Sequence, residues 1–235
     1  MCRDAESNGR NTDQKNNLAV RVLEAGRNQL FFRYRYLERA LFQLEWTCSK
    51  SFCFGCDGQR LYYSSSYVLK RYMQDSEEIS LDYLHTVLHC LCQHPFFYQR
   101  NEGRREETDW NLAADIAVEE DNSCLEDPDV RFHYVMEHTG ENGKNFLGFA
   151  DRKAEERRLK REIIRRLEAE IGILSAQKIY FYLQKHGMPC LDFPGKDFPE
   201  LGELFRRDTH QPWYVDMDRG CEEERQISGN GKREH

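Results

Sequence analysis

His85 and His89 stand four residues apart in the apolar run LHTVLHCLCQHPF, with His94 close behind. Side chains at i and i+4 share one face of a helix, so the two imidazoles can turn toward a single cation. This is the ligand half of the zinc-hydrolase motif H-E-x-x-H, whose glutamate takes the proton of a metal-bound water. The position after His85 is Thr86. A threonine hydroxyl accepts no proton near neutral pH, so the spacing predicts a metal claw without its usual base. General acid–base catalysis is worth about 10²- to 10⁴-fold, and standard hydrolysis should fall accordingly. Metal affinity need not fall with it, because that glutamate is not itself a ligand.

A catalytic zinc takes three protein donors plus water and accepts nitrogen and oxygen. Beyond the two histidines, the candidates are Asp115, Glu119, Glu120 and His94. His94 lies nine residues after His85, about two and a half turns on and therefore on the opposite side of an unbroken helix. It reaches the ion only if the helix ends early and the chain turns at Pro95. Asp115 is better placed, on a separate helix that can pack across. Glu119, four residues beyond Asp115, shares its face. Glu119 and Glu120 are also the candidates for a substitute base, a role that needs hydrogen-bond reach to the water.

The elements that must position these groups are legible in part. Leu18, Val22, Leu23, Leu30, Leu37, Leu41 and Leu44 recur at helical spacing, predicting helix from Leu18 to about Trp46, with Gly26 as a weak point. The aromatic residues of that segment are expected in the core, with Arg33, Arg35 and Arg39 solvated. Asp57-Gly58 between two short apolar runs predicts a β-hairpin. Tyr67 to Met73 reads as a short helix. Ser80 is the expected N-cap of the next, which carries Leu81, Leu84, Leu88 and Leu91 as a buried stripe and runs to about Gln93. Asp109 can cap the helix that bears Asp115. The stretch from Cys124 to Gly148 reads as loop. Asp151 to Ile171 is a charged helix with one apolar stripe, followed by helices over Gln177 to His186 and Leu201 to Arg207.

Composition narrows the class. Of 235 residues, 39% are apolar and 32% charged, which describes a globular chain with a heavily charged surface. A net charge of −7 offers no basic footprint for nucleic acid. No apolar run approaches the roughly 18 residues needed to cross a bilayer, and the polar N-terminus lacks a secretory signal, so a cytoplasmic location is expected. Nine cysteines, an odd count, point to thiols rather than a disulfide framework. Cys53 and Cys56 form a lone C-x-x-C with no second pair to complete a structural zinc site.

Taken together the motifs resemble a family: the bacterial metallopeptidase-like domain that usually precedes a von Willebrand factor A-like domain. Its strand D-G-x-x-L-Y-Y matches DGQRLYY, Asp57 to Tyr63. Its helix H-E-x-x-H-x-x-x-x-H-P matches HTVLHCLCQHP, His85 to Pro95, with Thr86 at the glutamate. Its helix W-N-x-A-x-D-x-x-x-N matches WNLAADIAVE, Trp110 to Glu119, with Glu119 at the asparagine. Its D-x-H-x-x-W tail is similar to RRDTHQPWY, Arg206 to Tyr214. The matches keep their order over about 160 residues and are specific as a set.

The resemblance implies an α+β, helix-dominated zincin-like domain with a small sheet beside the active-site helix. It implies zinc or another divalent metal on His85 and His89, with Asp115 as third ligand and His94 and His210 as substitutes. The expected organisation is a disordered tail over 1–17, one domain over 18–215 and a polar tail over 216–235. A von Willebrand-type segment does not follow within these residues, so that partner and an AAA-type ATPase are expected as separate chains, with a peptide or protein as ligand. The leading expectation is a metal-binding pseudoenzyme. The alternatives are an active metallopeptidase using Glu119 or Glu120, and a metal-free interaction scaffold whose histidines are structural.

Overall fold

The computed structural model describes residues 3–100, 107–125, 143–186 and 201–214, with side chains over 12–97, 107–119, 153–186 and 201–214. Helices dominate, and one three-stranded sheet accompanies them, so the class is α+β. The chain divides into two compact units. The first comprises 1–79, 95–102 and 209–235; the second comprises 80–94 and 103–208. The expected tail over 216–235, and most of the loop expected between Cys124 and Gly148, lie outside the described residues.

The first unit opens with helix α1, Arg3–Arg33, which starts well before Leu18. The polar residues up to 17 are therefore helical from Arg3 onward. Part of the reason is visible at the end of that stretch. Asn16 Oδ1 accepts hydrogen bonds from the Tyr63 hydroxyl and from Ser65 Oγ, both at 3.0 Å, and Lys15 Nζ donates to Ser66 Oγ at 2.7 Å. Ala19, Val22, Leu23 and Leu30 form the buried face of α1, which packs on helix α3, Ser65–Gln74. Gly26 does not interrupt α1.

Beyond Arg33 the helix expected to reach Trp46 breaks up. A 3-10 turn, Arg35–Leu37, leads into the single turn α2, Glu38–Leu41, and then into strand β1, Glu45–Cys48. Tertiary pairing overrides the helical period there: Trp46 pairs with Leu61 of strand β3, Arg60–Tyr63, in parallel. The aromatic residues of this segment are not core. Phe32, Tyr36 and Phe42 are exposed, and of the aromatic residues here only Tyr34 is buried, with Leu30, Leu41 and Leu44. Arg33, Arg35 and Arg39 are solvated as expected. Arg27, by contrast, lies over the rings of Phe42 at 4.3 Å and Trp46 at 4.5 Å.

Strand β2, Phe54–Cys56, joins β3 in the expected antiparallel hairpin. The Asp57 carboxylate explains the turn. Its Oδ1 accepts the backbone N–H groups of Gln59 at 2.8 Å and Arg60 at 2.7 Å, and its Oδ2 accepts the Tyr62 hydroxyl at 2.8 Å. Gly58 sits at φ +95°, where an L side chain is strained, and a Cβ there would overlap the Phe96 ring. The C-x-x-C pair is split: Cys53 is exposed and Cys56 is buried in β2.

The second unit is helical. It holds α4, Glu78–Leu91, from Ser80 on, and α6, Glu107–Leu125; helix α5, His94–Arg100, belongs to the first unit from Pro95 on. A long α7, Gly143–Ile171, is followed by α8, Ala176–His186, and the short α9, Leu201–Phe205. Helix α6 packs against α8 and α9, and α7 packs against both as well. The run Leu112 to Val118 is buried on all sides, as suits a helix covered by several neighbours. Leu159, Ile163, Ile164 and Leu167 form the buried stripe of α7. On its solvated face Glu155 pairs with Arg158, and Glu162 pairs with Arg165 and Arg166, the i,i+3 and i,i+4 pattern the sequence predicts. Among the described residues, no helix is long and apolar enough to cross a membrane.

Candidate metal centre

Helix α4 does not begin at Ser80. Asp75 starts it, accepting the Glu77 N–H on its carboxylate at 3.0 Å and the Glu78 N–H on its carbonyl at 3.2 Å. The helix is more deeply buried than a single stripe requires. Every residue from Asp82 to His89 is buried, whereas Leu91, expected in the buried stripe, is exposed, as is Cys92. The exposure arises where the helix stops. The Gln93 N–H closes onto Cys90 O at 3.1 Å, three residues back, and Gln93 takes φ +59°. The chain reverses there, and Pro95 falls in the first turn of α5, where its missing N–H costs nothing.

That early reversal brings His94 back to the pair. Its Nδ1 lies 2.9 Å from His89 Nδ1. The contact is to the outer nitrogen of His89, so His94 supports the ring and does not sit among the converging donors. The edge of Trp110 flanks His94, with centroids 6.0 Å apart.

The inner nitrogens converge. His85 Nε2 and His89 Nε2 are 3.0 Å apart. Asp115 Oδ1, from the facing helix α6, lies 3.1 Å from the first and 3.3 Å from the second. Asp208, just after α9, brings Oδ1 to 3.8 Å from His85 Nε2. All four donor atoms lie within 4.8 Å of one another and all four residues are buried. Zinc bonds of about 2.0–2.2 Å at tetrahedral angles put neighbouring donors about 3.3–3.6 Å apart. The observed separations bracket that spacing, so these four side chains can hold a metal ion. The charge also suits one. Two carboxylates and two neutral imidazoles carry a formal charge of about −2, which a divalent cation balances, and uncompensated charge is costly at such burial.

His85, His89 and Asp115 are thus brought together as the sequence predicts. His210, expected as a substitute ligand, belongs to the first unit, where its ring stacks on Trp213 at 3.7 Å. The side chain of Glu120 lies outside the described residues. Glu119 is described, and it is engaged elsewhere: Lys160 Nζ of α7 lies 2.8 Å from its Oε1 and Arg207 Nε lies 3.9 Å from its Oε2. Burial pushes the Glu119 carboxyl up, but the two cations outweigh it and hold the group below its usual range. Burial likewise pulls the Lys160 ammonium down, against the pull of Glu119. A carboxylate held that low is a weak base.

Asp208 is the donor that sequence reasoning passes over. The D-x-H-x-x-W stretch contains it, yet only the histidine of that stretch reads as a ligand. Thr86 belongs to the same neighbourhood. Its Oγ1 lies 3.0 Å from Asp82 O and 3.1 Å from Asp208 Oδ2. Comparison of the chain with protein-family models, with curated proteins and with solved structures finds no match.

Proposed function

We propose that this chain is a zincin-like domain that binds a divalent cation, zinc by its donor chemistry, and is impaired in peptide hydrolysis. The observation that carries the reading is the convergence of His85 Nε2, His89 Nε2 and Asp115 Oδ1 at 3.0–3.3 Å. Imidazole and carboxylate together suit zinc. When bound, the metal would supply charge balance and Lewis acidity. The chain's own residues set the chemistry around it. His85 and His89 present Nε2, His94 orients His89 through its outer nitrogen, and Asp115 contributes negative charge. Thr86 donates a proton where a hydrolase would accept one, so the domain acts as a binding or regulatory component. Its proposed company is a von Willebrand factor A-like protein with an AAA-type ATPase.

The reading as an active peptidase using Glu119 has less support, because Lys160 and Arg207 already hold that carboxylate. Equilibrium dialysis of the full chain against zinc, combined with metal analysis and a peptide-hydrolysis assay, tests the proposal. Zinc retained by the wild type and lost in His85→Ala and Asp115→Ala, with hydrolysis no faster than in chelator, is the expected result. Zinc at background in the wild type would leave the metal-free scaffold. Rapid hydrolysis that chelator abolishes would mean an active enzyme.

A further inference from the structure

One face of α4 grips the segment that carries Asp208. Asp82 and Thr86, four residues apart and both buried, lie one turn from each other on that face. The Arg207 guanidinium donates through Nη1 to Asp82 Oδ1 at 3.2 Å. Thr86 Oγ1 lies 3.1 Å from Asp208 Oδ2. The single hydroxyl proton has two acceptors in reach, the Asp82 carbonyl and this carboxylate, and the ionised one is the stronger. Held by Oδ2, the Asp208 carboxylate keeps Oδ1 toward His85 Nε2. That is the arrangement of a ligand using one oxygen, its other oxygen fixed by a supporting donor.

We propose that Thr86 is a positioning residue that holds Asp208 as a fourth protein donor, making the metal centre a closed His₂Asp₂ site. The inference rests on the metal-binding reading above and extends it. Structural zinc sites fill four positions with protein donors, whereas catalytic sites leave one for water. Thr86 therefore does more than lack basicity. Its hydroxyl stabilises the side chain that occupies the position a reacting water needs. The Thr86 hydroxyl and the Asp208 carboxylate act together, and the centre is filled as a structural site is filled.

Cobalt loading of the full chain tests this with a readout other than activity. The visible absorption of Co(II) reports coordination, and azide shifts it where a solvent position is open. Wild-type protein should bind Co(II) with a spectrum that azide leaves unchanged. Asp208→Ala should bind more weakly and respond to azide. Thr86→Val, which keeps the shape and removes the hydroxyl, should weaken metal binding by about 10- to 100-fold, and Thr86→Ser should restore it. If the wild type takes up no Co(II) or zinc, the metal-binding reading fails, and this inference with it. If the wild type binds the metal but azide shifts its spectrum, or if Thr86→Val binds as tightly as wild type, the closed site is wrong and the metal-binding reading stands.

Discussion

His94 reaches His89 by Nδ1 on Nδ1, at 2.9 Å. Such a contact needs one protonated and one bare nitrogen. With a metal on His89 Nε2, the proton would sit on His89 Nδ1 and be donated to His94, whose own proton would then be on Nε2. In that state the contact would fix both the tautomer and the ring orientation of His89. His94→Ala removes no converging donor, yet metal affinity should fall by about 10- to 100-fold. Competition against a chromophoric chelator measures it, and unchanged affinity would show that the ring of His89 is held by packing alone.

Glu119 and Lys160 form a buried pair, with Arg207 as a further cation. Breaking such a pair from one side leaves an uncompensated charge. Lys160→Met should destabilise the fold by about 3–5 kcal/mol, whereas the double substitution Glu119→Leu with Lys160→Met should recover most of that loss. Denaturant unfolding of the three proteins gives the comparison. Equal losses in the single and double variants would refute the pairing.

The same carboxylate has a signature in acid. Its folded pKa is lowered, so the unfolded chain binds its proton first as pH falls. The stability Glu119 contributes is then complete above the unfolded carboxylate value of about 4.3 and is lost as pH drops through the lowered folded value. Thermal melts across that acid window should fall less steeply in the double variant than in wild type. A parallel acid limb would mean that other carboxylates dominate.

Gly55 in β2 is a close-approach site. A Cβ there would overlap the backbone carbonyl of Thr209, whose own N–H donates to Phe54 O at 2.7 Å. Gly55→Ala should cost about 1–3 kcal/mol by overpacking, read as a lowered denaturant midpoint. A neutral substitution would show that this strand shifts freely.

Restoring the glutamate alone should not restore chemistry. Thr86→Glu would set a carboxylate beside Asp208, whose Oδ2 lies 3.1 Å from the Thr86 hydroxyl, and like charges at that range repel. Thr86→Glu combined with Asp208→Ala supplies a base and vacates the fourth position together. Chelator-sensitive peptide hydrolysis should appear in the double variant and not in Thr86→Glu. Hydrolysis by the single variant would show that Asp208 leaves the water position open.

How much of this was legible depended on range. The His85–His89 pair and its partner Asp115 come from local period plus the packing of two apolar helices, and the Asp57-Gly58 hairpin comes from turn chemistry. The role of His94 turned on one residue, Gln93, whose left-handed backbone nothing in its type announces. Strand β1 was hidden because Trp46 continues a helical spacing and becomes a strand only through pairing with Leu61. Asp208 was hidden for a related reason. Its contacts with Thr86 and His85 span more than a hundred residues of sequence, and no periodicity carries information over that distance. The engagement of Glu119 by Lys160 crosses from α6 to α7 and was equally beyond local pattern.

The most direct test is crystallographic: data from zinc-loaded protein collected at the zinc absorption edge. The expected outcome is one anomalous peak bonded to His85 Nε2, His89 Nε2 and Asp115, at about 2.0–2.2 Å from each. An ordered site with these three side chains in place and no peak between them would overturn the metal-binding reading.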